Sequence, residues 1–261
     1  LNMAKVHIKT DAEIAKMRQA GRAVAITLAE LEDALRPGLT TQALDQLAER
    51  TLKKLGAGSP FKGYPNLHTP SKPFPGSVCI SINDELVHGV PSVDIVLEES
   101  NIVSIDCGAI IDGWVADSAW TYGVGKISPA ARQLLDVTQR ALYHCISAAR
   151  AGNRTGDISA AIQTTVEQHN YQVARPFTCH GVGRNLHEPP YFYTYGKPGS
   201  GLRLKPGMTL ALEPMVLAGQ PDVAIDDEDG WTVFSEDGAL TAHFEHTVAI
   251  TDGEAQILTQ L

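Results

Sequence analysis

Two apolar, strand-like runs of this sequence each finish on an acid: Ile102-Val103-Ser104-Ile105-Asp106 and Thr209-Leu210-Ala211-Leu212-Glu213. A further acid, Glu245, follows Phe244 and is soon succeeded by Val248-Ala249-Ile250. Carboxylates rarely enter apolar surroundings unless they are paired or hold a metal. The expected fold brings the acidic strand ends together at its centre, paired or bound to metal.

The acid-ended strands are one of three echoes between the two halves of the chain. Arg36-Pro37-Gly38, with a following threonine and helix, is answered by Arg150-Ala151-Gly152 and Thr155, and His88-Gly89 is answered by His180-Gly181. Helix signals fit the same plan. Thr10-Asp11-Ala12-Glu13 has capping-box spacing, and apolar residues from Ile14 to Leu35 recur at helical period, so a helix is expected over about 11–35. Thr40 or Thr41 should cap a second helix carrying Leu44, Leu47, Leu52 and Leu55. Ser128-Pro129 opens a third, running to about Arg150. Between them lie short strands: Val78-Cys79-Ile80, Ile102–Ile105 and Ala109-Ile110-Ile111, the last before an Asp112-Gly113 turn. The expected architecture is α+β, with two pseudo-symmetric halves of about 10–125 and 126–252 around a central antiparallel sheet. The expected unit is a single catalytic domain over 3–261.

Asp106 and Asp117 flank a hairpin centred near Ile111-Asp112, so antiparallel pairing should set them nearly opposite each other. Protons or metal ions can relieve the repulsion of two such acids, and metal ions serve better where more acids converge. With Glu213, Glu245 and a neutral His180, four carboxylates give a formal charge of minus four, which two divalent cations would balance. One imidazole among oxygen donors suits Mn, Fe(II), Co or Zn in a two-metal hydrolase. Singly, each position has an ordinary reading. Asp106 can cap a turn, Asp117 can be a solvated hairpin residue, and His180 can be a hydrogen-bonded core histidine. Glu213 can end a strand before Pro214, and Glu245 can pair with His246.

Five segments, in order, resemble type I methionine aminopeptidases of the pita-bread metallopeptidase fold. They are Ser77–Asn83 with His88-Gly89-Val90-Pro91; Ser104-Ile105-Asp106 with Asp117-Ser118; His180–Arg184 through His187-Glu188; Leu204–Met208 through Glu213-Pro214-Met215; and Asp229–Val233 with Phe244-Glu245-His246-Thr247. The resemblance runs from about Thr10 to the end of the chain. It implies two divalent ions per chain (Co, Mn, Fe(II) or Zn). Asp106 would chelate one, His180 and Glu213 would bind the other, and Asp117 and Glu245 would bridge both. A hydroxide between the ions would attack the scissile carbonyl, with Glu213 moving the proton to the leaving amine. His88 and His187 would contact the substrate and polarise its carbonyl oxygen, and Cys79, Phe74 and Trp231 would line a methionine pocket. The implied substrates are nascent polypeptide N-termini whose second residue is small, with transient contact to the ribosome surface. A monomer is expected.

The pattern departs from the family in three places. Leu186 stands where an aromatic often precedes the histidine, Cys107-Gly108-Ala109 replaces a hydroxyl-bearing run, and the loop from Phe61 to Pro73 is unusual. These leave the pocket lining and second-residue tolerance open. Two rivals remain: an X-Pro aminopeptidase or dipeptidase of the same fold, and a non-catalytic pita-bread protein that binds peptides. The first usually carries an additional N-terminal domain, for which the stretch before Ser77 leaves little room. The second would be expected to have lost metal ligands. No long insertion separates His187 from Glu213 or Glu213 from Trp231, which favours type I over type II, and no zinc-finger extension is expected.

A net charge of -9 disfavours a nucleic-acid or anionic membrane surface. No run is long and apolar enough to span a bilayer and no signal pattern opens the chain, so a cytoplasmic protein is expected. Cys79, Cys107, Cys145 and Cys179 are scattered and are expected to be reduced thiols. Leu1-Asn2 reads as an expression remnant, and Met3-Ala4 is itself a plausible self-processing sequence.

Overall fold

The computed structural model describes residues 6–66 and 69–261, so Met3-Ala4 lies outside the described residues. Helix α1 (Asp11–Ala34) begins with the expected box: the Glu13 N–H donates to Thr10 Oγ1 at 3.3 Å and the Thr10 N–H donates to Glu13 Oε2 at 2.8 Å. Its Met17, Val24, Leu28 and Leu31 are buried at helical spacing, each burial worth about 1.5–3 kcal/mol against exposure. Thr40 caps α2 (Thr41–Lys54), which buries Leu44, Ala48 and Leu52, whereas Leu47 and Leu55 are only partly covered.

Strands β1 (Cys79–Ile82) and β2 (Glu85–Val87) follow, and then a long hairpin of β3 (Ile102–Ile111) and β4 (Trp114–Gly123). The two apolar runs expected as separate strands are one, because Asp106, Cys107 and Gly108 keep the ladder with β4. Its turn is Asp112-Gly113, both with positive φ (50° and 72°), the two-residue turn whose twist matches the strands. The hairpin is thus centred one residue later than expected. Asp106 pairs with Ala119 and Asp117 with Gly108, so the two acids are diagonal neighbours on one face rather than opposite each other.

Helices α3 (Pro129–Ala148), capped by Ser128, and α4 (Thr155–Glu167) come next. The strands after them are β5 (Gln172–Val173), β6 (Thr178–Gly181), β7 (Glu188–Tyr193), β8 (Thr209–Leu212), β9 (Met215–Leu217), β10 (Val223–Ile225), β11 (Val233–Ser235), β12 (Thr241–His243), β13 (His246–Ala249) and β14 (Gln256–Ile257). Strand pairing is antiparallel throughout the described sheets, which run β1-β3-β4, β10-β11-β2, β12-β9-β5 and β14-β13-β8-β6-β7. One apolar core packs α1 and α2 on β3 and β4, another packs α3 and α4 on the later strands, and Trp120 borders both.

The first and last sheets are stitched together beside the acids. The Glu245 N–H donates to Ala119 O at 2.8 Å, the Asp117 N–H donates to Thr247 Oγ1 at 2.9 Å, and that hydroxyl donates back to Asp117 O at 2.8 Å. All four cysteines are buried free thiols. No helix among the described residues is long and apolar enough to cross a membrane.

Candidate active site

Where the sheets meet, a cavity of about 240 Å³ is lined by Asp106, Asp117, His180, Glu213 and Glu245, and also by His88, Cys79, Phe74, His187 and Trp231. Every site residue expected from sequence therefore faces one space. Asp106 and Asp117 come from the β3–β4 hairpin, and His180 from β6, where it pairs with Ala211 of β8. Glu213 is the first residue past β8 and Glu245 the residue before β13. The His246 to Leu212 pairing sets these two glutamates side by side at adjacent strand ends. His180 Nε2 lies 3.3 Å from Glu213 Oε1.

These acids are short of partners. Asp117 and Glu245 are 3% and 1% exposed, and among the described residues Asp106 Oδ1, Asp117 Oδ1 and Glu245 Oε1 have no hydrogen-bond partner. Burial, then the charges of Asp117 and Glu213, pushes the Asp106 carboxyl well above its usual range. Burial pushes Asp117 up to about 7. Glu213 and Glu245 rise for the same first reason, with Asp117 as the next cause in each. Protein alone holds this cluster by keeping protons on it. Divalent ions would balance the ionised acids and occupy the orphaned oxygens, so the residues present fit such a centre. Two overlapping groups, Asp117 with His180 and Glu245, and Glu213 with His243 and Glu245, have donor atoms within 4.8 Å of one another.

The histidines around the cavity are neutral: burial lowers His180 and His243 to about 3 and His88 and His187 to about 4. Neutral imidazoles keep a lone pair for a metal or a proton. His88 sits just past β2 with φ 61°, a left-handed conformation that side chains pay to adopt. Its neighbour Gly89 packs directly on β1, where a Cβ would lie 2.1 Å from Ile80 O and where the Ile80 N–H donates to Gly89 O at 2.9 Å. The His88 ring meets the edges of Trp231 and Phe177, at centroid distances of 6.3 and 5.9 Å. Phe74 stands against Trp231 at 5.3 Å, and with Cys79 these rings make the apolar end of the cavity. His187 lies 4.4 Å from His180, ring to ring, and its Nδ1 is 2.6 Å from Tyr64 Oη.

Phe177 escapes the sequence reading, and so do Tyr64 and His243. Tyr64 lies in the loop singled out as unusual, and nothing in its spacing announces a contact with His187. His243 had a signal: it stands two residues before Glu245, a strand period that places both side chains on one face. Leu186 also lines the cavity, where the departure from the family pattern placed it.

Residues 15–252 match metallopeptidase family M24. Methionine aminopeptidase 1 of Bacillus subtilis is 49% identical over 253 residues, covering 97% of this chain and 98% of that protein. The methionine aminopeptidase of Aquifex aeolicus is 42% identical over 258 residues, covering 98% and 99%. Among solved structures, a methionine aminopeptidase from Thermotoga maritima superposes with a TM-score of 0.94 at 42% identity, covering 98% of this chain and all of that one (100%). A prolidase from Pyrococcus furiosus shares the fold, with a TM-score of 0.77 at 22% identity over 97% of this chain and 65% of that one.

Proposed function

Given that the chain belongs to metallopeptidase family M24, with the methionine aminopeptidases and their pita-bread fold, we propose that it removes the initiator methionine from nascent polypeptides using two divalent ions. The observation that carries this reading is the convergence of four buried or half-buried acids and His180, with orphaned oxygens, on a cavity whose far end is aromatic. In this proposal Asp106 would hold one ion, His180 and Glu213 would hold the other, and Asp117 and Glu245 would serve both. When bound, such ions supply Lewis acidity and lower the pKa of water to about 7.

The protein's own groups do the rest. Glu213, beside His180, accepts a proton from the attacking water and passes it to the departing amine. His187, steadied by Tyr64, offers its Nε2 to the carbonyl oxygen as charge develops there. His88 contacts the substrate's first peptide nitrogen. Cys79, Phe74 and Trp231 receive the methionine side chain, whose thioether is favoured by sulfur and aromatic faces. The chain acts as one catalytic unit in the cytoplasm, as a monomer, on N-termini with a small second residue.

Hydrolysis of Met-Ala-Ser and Ala-Pro-Ser peptides by chelator-stripped protein, with and without Co or Mn, tests this reading. Metal-dependent release of methionine from the first peptide alone, lost in Asp106→Ala, is expected. Cleavage of the second alone would move the chain to the prolyl branch, and cleavage of neither would make it a binding protein.

A further inference from the structure

His243 has no role in the set just described, yet it is aimed into the same centre. It is 2% exposed and is the last residue of β12, where it pairs with Met215 of β9. Its backbone is fixed on both sides: the N–H donates to Thr121 Oγ1 at 2.9 Å, and the Thr121 hydroxyl donates to His243 O at 2.9 Å. The ring nitrogen Nε2 has no hydrogen-bond partner among the described residues. It points between the two glutamates, 3.7 Å from Glu213 Oε2 and 3.9 Å from Glu245 Oε2.

Those separations are too long for hydrogen bonds. They lie between the separation of about 3–3.5 Å that bonds of about 2.0–2.2 Å set for neighbouring donors on one ion and the separation of about 4.2 Å for donors on its opposite sides. The neighbouring His180 Nε2 to Glu213 Oε1 distance, 3.3 Å, is that of adjacent donors. A buried imidazole nitrogen with neither a proton acceptor nor a donor in reach is an unmet valence, and a cation between Glu213 and Glu245 would meet it.

We infer that His243 Nε2 is a sixth protein donor to the metal centre, bound to the ion that Glu213 and Glu245 share, so that the pair of ions carries two imidazoles rather than one. This rests on the dinuclear reading above. A second imidazole softens an otherwise oxygen-rich site and biases it toward Zn, Fe(II) or Co over Mn.

X-ray absorption of the full chain loaded with two equivalents of Zn counts imidazoles per ion through their ring scattering. An average of one imidazole per ion, both on the same ion, is expected in wild type, falling to an average of one per two ions in His243→Gln. Calorimetric Zn titration of that variant should show one site weakened about 10- to 100-fold and the other unchanged. One imidazole per two ions in wild type, with His243→Gln titrating like wild type, overturns the inference and leaves the dinuclear reading standing. Wild-type protein that takes up no second ion overturns both.

Discussion

A site built for cations should destabilise the protein when they are removed, and Asp117 gives the size of the effect. Its carboxyl has an ordinary value of 3.8 and is pushed up to about 7 by burial. Holding it ionised in the metal-free fold therefore costs up to about 4 kcal/mol, at 1.36 kcal/mol per pH unit. Asp106 and the glutamates re-titrate when one charge is removed and share part of that cost, so about 2–4 kcal/mol is recoverable by Asp117→Asn. For a chain of this size that raises Tm of the stripped protein at pH 8 by about 5–10 °C. The sign with pH follows from the raised value. The penalty is absent below about pH 4, grows as pH rises, and is complete above 7, so the variant's advantage should shrink on acidification. The buried histidines act in the opposite sense, destabilising the fold as pH falls from 6.5 toward 3 to 4, but they are common to both proteins and cancel in the difference. Metal should reverse the order. Each ion at about a hundred times its Kd adds about 2.7 kcal/mol to wild type, and the variant forfeits the bridging position. Thermal unfolding of both proteins at pH 5 and 8, with chelator and with Mn, reads all of this. A stripped variant no more stable than wild type at pH 8, or one whose advantage grows on acidification, refutes the reasoning.

Metal uptake competes with the protons held by Asp117 and its neighbours, so calorimetric Kd values should weaken about tenfold per displaced proton for each pH unit below 7; equal values at pH 6 and 8 would contradict this. His88→Ala and His187→Ala should each lower kcat/KM about 10²- to 10³-fold while leaving the metal content, by elemental analysis, as in wild type. The buried ion pair of Lys9 and Glu188 ties the segment just before α1 to the one carrying His187. In urea, Lys9→Met should cost about 3–5 kcal/mol by stranding the glutamate charge, and adding Glu188→Leu should recover most of it.

The helix starts and the acid-ended strands were legible because each is marked locally in sequence. Thr10, Thr40 and Ser128 announce helix starts through their own hydrogen bonds, and an acid at the end of an apolar strand is conspicuous wherever that strand pairs. Register was less legible. A turn one residue earlier would set Asp106 and Asp117 opposite; Asp112-Gly113, both with positive φ, centres the hairpin between them and makes the two acids diagonal. The joining of β3 across Asp106-Cys107-Gly108 depended on β4, which the run itself does not reveal. Tyr64 reaches His187 across a long sequence separation, and only tertiary structure makes that contact. His243 could have been found by applying strand alternation backward from Glu245. It was overshadowed by His246, whose Nδ1 is instead 2.8 Å from Thr259 Oγ1 and lies on the other side of the strand.

The central claim is that Asp106, Asp117, His180, Glu213 and Glu245 hold two ions in the cavity where substrate binds. Anomalous diffraction from a crystal of the Co-loaded chain addresses it directly. Two peaks about 3.5–4 Å apart, bracketed by Asp117 and Glu245, are predicted. A single peak, or Co bound only away from these carboxylates, would contradict the account.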